Sequence, residues 1–135
     1  MKSLIPIAVV LFITSVYGIW YQRSRGVVKA KIKAGTITEE MIGGALGSRA
    51  TLVQFSSAFC TPCRATRALL ENIVGDLHDV VHIDIDAEDH LELVRELNIL
   101  STPTTLIVDS KGREIGRAVG APKREQVLNA LAAIR

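Results

Sequence analysis

The chain has 135 residues, a formal net charge of +2 and only 4% aromatic residues. This length favours one compact domain, and the small charge excludes the basic, aromatic-lined surface that nucleic-acid-binding proteins use. The two cysteines are too few for the disulfide framework of a small secreted domain, although they are enough for a redox pair.

Residues 1–22 predict a transmembrane anchor. Residues 3–22 carry no charge, and about twenty residues at about 1.5 Å each match the thickness of a bilayer core. Tyr17, Trp20 and Tyr21 cluster at the end of this stretch, where aromatic rings favour the membrane interface. A cleaved signal peptide is the alternative, although the basic residues directly after the stretch argue against cleavage.

A basic neck, residues 23–26, follows the anchor and contains Arg23 and Arg25. Because positive residues mark the cytoplasmic flank of a membrane helix, we expect the domain at 27–135 to lie in the cytoplasm. An extracytoplasmic domain is the alternative, because two arginines are few and the next basic residues fit the solvated face of a strand. Those residues are Lys29, Lys31 and Lys33.

The domain then alternates between strands and helices. After a first strand, Thr36 or Thr38 is expected to cap a short helix over about residues 39–46. The apolar run 51–56 predicts a buried strand, and helical spacing of apolar residues predicts a helix over 64–77. The predicted buried face of this helix is Ala65, Ala68, Leu69, Ile73 and Leu77.

The second half of the domain continues the pattern. Residues 80–85 alternate as a strand, and the acidic stretch 86–89 predicts the start of a helix. The predicted apolar side of that helix is Leu91, Val94 and Leu97. Strands at 104–108 and 114–119 predict a hairpin, and Pro122 suits the first turn of a last helix. The residues of this helix predicted to face the sheet are Val127, Leu128, Leu131 and Ile134.

Cys60 and Cys63 lie between the strand 51–56 and the helix 64–77. Two intervening residues let both sulfurs meet within one turn, so a disulfide can close and reopen with little backbone movement. The dipole and the free N–H groups at a helix N-terminus stabilise a thiolate over a thiol. This position and spacing predict a redox pair.

The order of these elements resembles the thioredoxin family. Two further motifs carry the resemblance: Ser101-Thr102-Pro103-Thr104 directly before a strand, and Val119-Gly120-Ala121 after the hairpin. The resemblance covers roughly residues 27–135. It implies an α/β thioredoxin fold, a central mixed β-sheet flanked by helices, here preceded by one N-terminal transmembrane helix. It also implies a cis-proline at Pro103.

The resemblance implies a thiol–disulfide oxidoreductase without a cofactor or metal, because the cysteines carry the electrons. Cys60 is the expected attacking thiol and Cys63 the shielded resolving thiol. Thr102, Pro103 and Gly120 are the expected binding side for an extended substrate peptide. The short neck keeps the site near the bilayer, so we expect a monomer that meets membrane-proximal protein disulfides and an unidentified electron donor.

Two buried positions depart from the family pattern. Gln54 stands where the family has an aspartate beneath the second cysteine, and a glutamine cannot take up a proton. His82 stands where the family has a lysine. One hypothesis is that His82, with or without a bridging water, assists deprotonation of Cys63, because histidine titrates near neutral pH. The alternative is that His82 packs at the edge of the sheet, unconnected to catalysis.

The surface of the motif also departs from the family. Phe59 replaces a tryptophan and can still cover the site. The pair Thr61-Pro62 matches neither the usual Gly-Pro nor the histidine-containing pairs of strong oxidants, and without a histidine beside the thiolate we expect a protein disulfide reductase. An oxidant is the alternative for an extracytoplasmic domain. Arg64 either helps to hold the thiolate or is a solvated helix residue.

The cysteine pair has three other interpretations. A static disulfide across so short a loop removes little unfolded-state entropy. A zinc site needs four ligands, and no histidine has ligand spacing to the pair. A docking module that keeps the fold without turnover is the remaining alternative. A variant without Cys63 distinguishes it, because only an enzyme then accumulates mixed disulfides.

Overall fold

The computed structural model describes residues 4–24, 28–30 and 35–135, and the side chains of residues 5–21 and 35–135. Helix α1 (Leu4–Ser24) has 21 residues and confirms a helix in the predicted anchor. Its described side chains are all exposed. Within the part of the chain that the structure describes, no helix is both long enough and apolar enough to span a membrane.

The structure describes only the first half of the predicted neck, 23–26. Residues 23 and 24 complete α1, whereas residues 25 and 26 lie outside the described residues, as do Lys31, Lys33 and the predicted first residue of the domain, Val27. Strand β1 (Val28–Ala30) confirms the first part of the predicted strand.

The remaining elements alternate as the sequence predicts. The helices are α2 (Glu39–Ile42), α3 (Thr61–Gly75), α4 (Leu91–Glu96) and α5 (Arg124–Ala132), and the strands are β2 (Ala50–Ser56), β3 (Val80–Asp86), β4 (Thr104–Asp109) and β5 (Glu114–Val119). Five strands form one sheet in the order β1-β5-β4-β2-β3. The β2–β3 pair is parallel and the other neighbours are antiparallel, so the predicted mixed sheet is confirmed.

Helices cover both faces of the sheet because the interior strand β2 carries apolar side chains on both sides. Every residue of β2 is buried, and its side chains alternate between two cores. Val53 and Phe55 pack with residues of α2 and α4. Ala50 and Leu52 pack with residues of α3 and α5. This layer of α3 and α5 is the one that carries the cysteines.

Helix α2 is shorter than predicted. Thr38 is its N-cap, and the Thr38 hydroxyl oxygen accepts a hydrogen bond from the Met41 N–H at 3.3 Å. The helix ends at Ile42 rather than near Leu46, because Gly43 takes a left-handed φ of +68°, a conformation that glycine adopts at no steric cost.

The predicted buried face of α3 is partly wrong. Ala65 and Ala68 are exposed, Leu69 and Leu77 are half-buried, and Ile73 is buried as predicted. The residues that α3 buries are Cys63, Thr66, Leu70 and Ile73. This spacing is also helical, and it places Cys63 on the same buried face as Leu70 and Ile73.

Helices α4 and α5 begin later than predicted. Asp86 ends β3, and α4 starts only at Leu91. Leu91 is therefore exposed, whereas Leu97 is buried and Val94 is half-buried against the core, as predicted. Leu93, which was not predicted to face inward, is also buried. Pro122 precedes the first turn of α5, whose N-cap is Lys123. The predicted inward residues of α5 are buried except one, Leu128, which is exposed.

Candidate active site

A disulfide joins Cys60 and Cys63 at the start of α3, with 5.2 Å between their Cα atoms. Cys60 is the N-cap of the helix, and its sulfur accepts a hydrogen bond from the Cys63 N–H at 3.2 Å. Cys60 is partly exposed, whereas Cys63 retains only 2% of its exposure. An accessible sulfur thus lies at the positive end of a helix, where a thiolate is stabilised.

Phe59 does not cover this disulfide. Its ring is fully exposed, and its backbone has a φ of +56°, a left-handed conformation that is uncommon for a residue other than glycine. Thr61, Pro62 and Arg64 are also exposed, on the first turn of α3. The rim of the site therefore presents side chains to solvent around Cys60.

The segment before β4 contacts Ser57, which precedes the cysteine motif, and Gly120, which follows β5. The Thr102–Pro103 peptide bond is cis, as the resemblance implies. The Gly120 N–H donates a hydrogen bond to the Pro103 carbonyl oxygen at 2.8 Å. The hydroxyl oxygens of Ser57 and Thr102 lie 3.0 Å apart. These contacts connect the proline segment both to the end of β5 and to the residues that precede Cys60.

Gln54 lies beneath Cys63, as the resemblance to the family implies. Its side chain is fully buried. Its Nε2 donates hydrogen bonds to the Cys63 carbonyl oxygen at 2.9 Å and to the Ser56 hydroxyl at 3.0 Å. Its Oε1 lies 3.0 Å from Nε2 of His82. Each polar atom of this buried amide is therefore hydrogen-bonded, as burial of a polar group requires.

The hydrogen bonds continue from Ser56 to the edge strand. The Ser56 hydroxyl donates to Oδ1 of Asp84 at 2.6 Å, and the Arg67 guanidinium bonds Oδ2 of the same carboxylate. Asp84 lies on β3 directly opposite Gln54 in the parallel pairing, so both side chains lie on the α3 side of the sheet.

His82 is half-buried on β3, the edge strand of the sheet. Burial lowers the pKa of this imidazole, because the charged form loses hydration; Asp84 and Glu71 raise the pKa, and Arg67 lowers it. The net effect lowers the pKa of His82 below its ordinary value, which favours the neutral imidazole. Gln54 lies between His82 and Cys63, and the role of His82 in deprotonation stays a prediction.

Two buried hydroxyls complete the surroundings of Gln54. Thr105 lies opposite Gln54 on β4, and Thr66 follows Cys63 by one turn on the buried face of α3. Among the described atoms, neither hydroxyl has a hydrogen-bond partner. Both hydroxyls are neutral polar groups in the buried interior of the domain.

A cavity of about 360 Å³ opens beside the disulfide. Both cysteines and Phe59 contribute to its wall, and so do four charged side chains: Arg64, Arg67, Asp84 and Asp86. Ser56, Arg67 and Asp84 were not predicted as site residues from the sequence. The available signal was the parallel pairing of two neighbouring strands, which places every second residue of each on one face.

Histidines near the site do not form a metal centre with the cysteines. Within residues 4–24, 28–30 and 35–135, no three His, Cys, Asp or Glu side chains are grouped to hold a metal ion. His78 and His90 are exposed. Nδ1 of His90 lies 3.0 Å from the Asp86 carbonyl oxygen, away from the disulfide.

The sequence pattern of the family described as Thioredoxin matches residues 37–133. Thioredoxin H2 of Arabidopsis thaliana is 31% identical over 74 residues, which are 55% of each chain. A thioredoxin of Chlamydia pneumoniae is 30% identical over 93 residues, 69% of this chain and 90% of that one. The chain spans about half the length of the plant relatives it matches.

Solved structures support the same fold. The mitochondrial thioredoxin 3 of Saccharomyces cerevisiae superposes with a TM-score of 0.59 at 19% sequence identity, over 75% of this chain and 93% of that one. At this level of identity the likeness concerns the fold alone, and the functional argument rests on the residues of the site.

Proposed function

Since this chain belongs to the thioredoxin family, we propose that it is a thiol–disulfide oxidoreductase that reduces protein disulfides. One observation carries the proposal: the Cys60–Cys63 disulfide at the N-terminus of α3, with the first sulfur accessible and the second shielded. This asymmetry suits a pair in which one thiol meets the substrate and the other completes the reaction.

In the proposed reaction the Cys60 thiolate attacks one sulfur of a substrate disulfide. A mixed disulfide forms, and the first substrate sulfur leaves as a thiolate with the electron pair of the broken bond. Cys63, as a thiolate, then attacks the Cys60 sulfur and releases the second substrate thiolate. The enzyme ends oxidised, the substrate is reduced by two electrons, and no bound cofactor takes part.

The proline segment is the proposed binding side for an extended substrate. Pro103 is buried and Thr102 is half-exposed. The Gly120 N–H donates a hydrogen bond to the Pro103 carbonyl oxygen. This hydrogen bond holds the segment against the end of β5. A segment fixed in this way can offer the backbone of Thr102 to a peptide by strand addition.

The test of the proposal is the redox potential of the full-length protein, equilibrated with mixtures of reduced and oxidised glutathione. A reversible two-electron couple near about −270 mV is the result expected for a reductase. A value near about −120 mV makes the protein an oxidant and favours the extracytoplasmic alternative. No reversible couple refutes the enzyme proposal and leaves the docking module.

We propose further that α1 holds the catalytic domain at a membrane as a single-pass anchor, although the structure describes no helix that is both long and apolar enough to span one. Consecutive residues of a helix point about 100° apart, so the exposed run Val9, Val10, Leu11, Phe12 and Ile13 presents apolar side chains in every direction. A helix that is apolar all round is normally buried in a protein core or in lipid. The side chains of this run lack such cover, because all five are exposed.

The membrane proposal has a direct test in cells that produce the full chain. Extraction of membranes with alkaline carbonate leaves an inserted protein in the pellet, whereas an interfacial or soluble protein is released. Protease added to sealed vesicles then reports the side of the domain. Protection in vesicles of cytoplasmic-side-in orientation supports the cytoplasmic location, and digestion supports the extracytoplasmic one.

A further inference from the structure

The second half of the proposed reaction needs a proton acceptor. Before Cys63 attacks Cys60, its thiol must lose a proton, since the thiolate is the nucleophile. Gln54 occupies the place beneath Cys63, with Nε2 at 2.9 Å from the Cys63 carbonyl oxygen. A neutral amide has no basic site for this proton. The acceptor must therefore be another side chain near Cys63.

Charged and titratable side chains reach the surroundings of Cys63 from two elements. Those on α3 are Arg64, Arg67 and Glu71, and those on β3 are His82, Asp84 and Asp86. The arginines are permanently charged and cannot act as acceptors at physiological pH. Glu71 affects the pKa of His82 but does not contribute to the cavity wall beside Cys63. The proton acceptor for Cys63 is therefore one of the three side chains of β3.

His82 is turned the wrong way to accept the proton. Because Nε2 of Gln54 donates to the Cys63 carbonyl oxygen, the amide orientation is fixed and Oε1 faces His82. An amide oxygen only accepts hydrogen bonds, so Nε2 of His82 must carry a hydrogen. The ring nitrogen nearest the site therefore has no free lone pair, and Gln54 separates it from Cys63.

We infer that Asp84 accepts the proton of Cys63 through water in the cavity beside the disulfide. Asp84 and Cys63 both contribute to the wall of this cavity, whose volume is about 360 Å³. That volume admits several water molecules, since one occupies about 30 Å³ in the liquid. The inference rests on the proposed function, because a docking module has no resolving step.

The hydrogen bonds of Asp84 fix its place on this wall. Its Oδ1 accepts from the Ser56 hydroxyl at 2.6 Å, and Ser56 in turn accepts from Gln54. Its Oδ2 is bonded by Arg67. A carboxylate oxygen has two lone pairs, so each oxygen keeps capacity for a water molecule. Asp86 shares the wall but has no bond to Ser56 or Arg67 in the described structure.

The proposed step balances without any further reactant. Water in the cavity accepts the proton of the Cys63 sulfur and passes a proton to Asp84. The Cys63 thiolate forms a bond to the Cys60 sulfur, and the bond between Cys60 and the substrate sulfur breaks. The substrate thiolate leaves with that electron pair, and protonated Asp84 can return the proton to it through the same water.

The test uses the full-length reduced protein mixed rapidly with an equimolar amount of the aromatic disulfide dithiobis-nitrobenzoate, so that no second reagent molecule is left for Cys63. Attack by Cys60 releases one coloured thiolate, and resolution by Cys63 releases a second. We expect Asp84→Asn to leave the first release unchanged and to slow the second about tenfold or more below neutral pH, as loss of a general base does.

A pKa measurement separates this role from a simple charge effect. Removing a negative charge near Cys63 lowers the pKa of its thiol, which by itself makes the second release faster. The Cys63 pKa is measured from thiolate absorbance with Cys60→Ser in the background. A second release that slows in Asp84→Asn while the thiol pKa falls or stays constant supports the inference. A second release that is unchanged or faster overturns it.

Three further variants keep the test decisive. Asp86→Asn removes the same charge from the same wall, so it shows the charge effect alone and is expected not to slow the second release. Asp84→Glu keeps a carboxylate and is expected to restore most of the rate. Should Asp84→Asn fail to fold, Ser56→Ala removes only the hydroxyl that orients Asp84. An unchanged second release in that variant also overturns the inference.

The same measurement on the wild-type protein separates a failure of this inference from a failure of the proposed function. If wild type releases only the first coloured thiolate, the proposed oxidoreductase function is wrong. If wild type releases both and Asp84→Asn does so at the same rate, only the assignment of the proton acceptor is wrong.

Discussion

Truncation of Glu114 to alanine is expected to lower the free energy of unfolding by about 3–5 kcal/mol, because it leaves a buried charge on Arg117 without its partner. The side chains of Glu114 and Arg117 retain only 1% and 10% of their exposure. Arg117 donates two hydrogen bonds to the carboxylate, at 2.6 and 2.9 Å. This is the geometry in which removal of one partner is most costly.

A bulge in β5 brings the two side chains together. Residues three apart on a regular strand point to opposite faces. Here Ile107 pairs with Gly116 whereas Val108 pairs with Glu114, so Ile115 is an extra residue in β5. The extra residue turns Glu114 to the face of Arg117.

Arg117 also supports the segment that leads to the cis-proline. Its guanidinium donates to the carbonyl oxygens of Leu97 and Asn98, at 2.9 and 3.2 Å. These residues end α4 and begin the connection to Pro103. Displacement of Arg117 is therefore expected to weaken binding of a protein disulfide more than reaction with a small aromatic disulfide.

Urea unfolding of the full-length protein followed by far-ultraviolet circular dichroism measures the change. Tryptophan fluorescence is unsuitable, because the only tryptophan, Trp20, lies in α1 outside the folded domain. A matched control is Asp76→Ala, which breaks the exposed ion pair between Asp76 and Arg124. Exposed pairs contribute about 0–1 kcal/mol, so this control is expected to change stability little.

Two results would contradict the argument. One is a loss below about 1 kcal/mol in Glu114→Ala, the value typical of an exposed pair. The other comes from the double variant Glu114→Leu with Arg117→Met. It removes both charges, so it is expected to be more stable than Glu114→Ala alone. A double variant that is less stable than the single one would show that the unpaired charge is not the cause.

Three further predictions concern His82, the cysteines and a turn. Because the pKa of His82 is lowered in the folded state, the unfolded chain binds a proton at this histidine first as the pH falls. The free energy of unfolding therefore decreases as the pH drops from the ordinary histidine pKa to the folded one. His82→Asn should make the urea midpoint less dependent on pH in this window, and an unaltered pH dependence contradicts the assignment. Cys63→Ser is expected to accumulate mixed disulfides with protein substrates that Cys60→Ser does not form, detected by non-reducing electrophoresis. Gly112→Ala is expected to destabilise the fold by more than about 1 kcal/mol. Gly112 has a φ of +79°, and an added Cβ would lie 2.2 Å from the Ile37 carbonyl oxygen. Equal urea midpoints for Gly112→Ala and wild type would refute this prediction.

Local patterns in the sequence predicted much of the fold and the position of the disulfide. The apolar run that becomes β2 and the alternating run that becomes β3 each carry their own periodicity, and the structure confirms both strands. The cysteine spacing needs only one helical turn, and Cys60 and Cys63 are joined as that spacing allows. These features depend on residues close together in the chain.

Helix boundaries were predicted less well, because short helices depend on caps and packing more than on periodicity. The predicted extension of α2 to Leu46 failed at Gly43, where a left-handed residue ends the helix. The acidic start predicted for α4 is instead the end of β3 and a turn. Charge at residues 86–89 is compatible with both structures, and only the pairing of β3 with β2 distinguishes them.

The sequence alone determined that Gln54 and His82 replace the ionisable residues typical of the family, because this follows from position in the chain. Only the tertiary structure decided what surrounds Cys63. Register between β2 and β3 places Gln54 opposite Asp84, and the rotation of α3 brings Arg67 to the same carboxylate. The residues of this network are up to 30 positions apart, and their contacts follow from strand pairing and helix rotation, which no local pattern encodes.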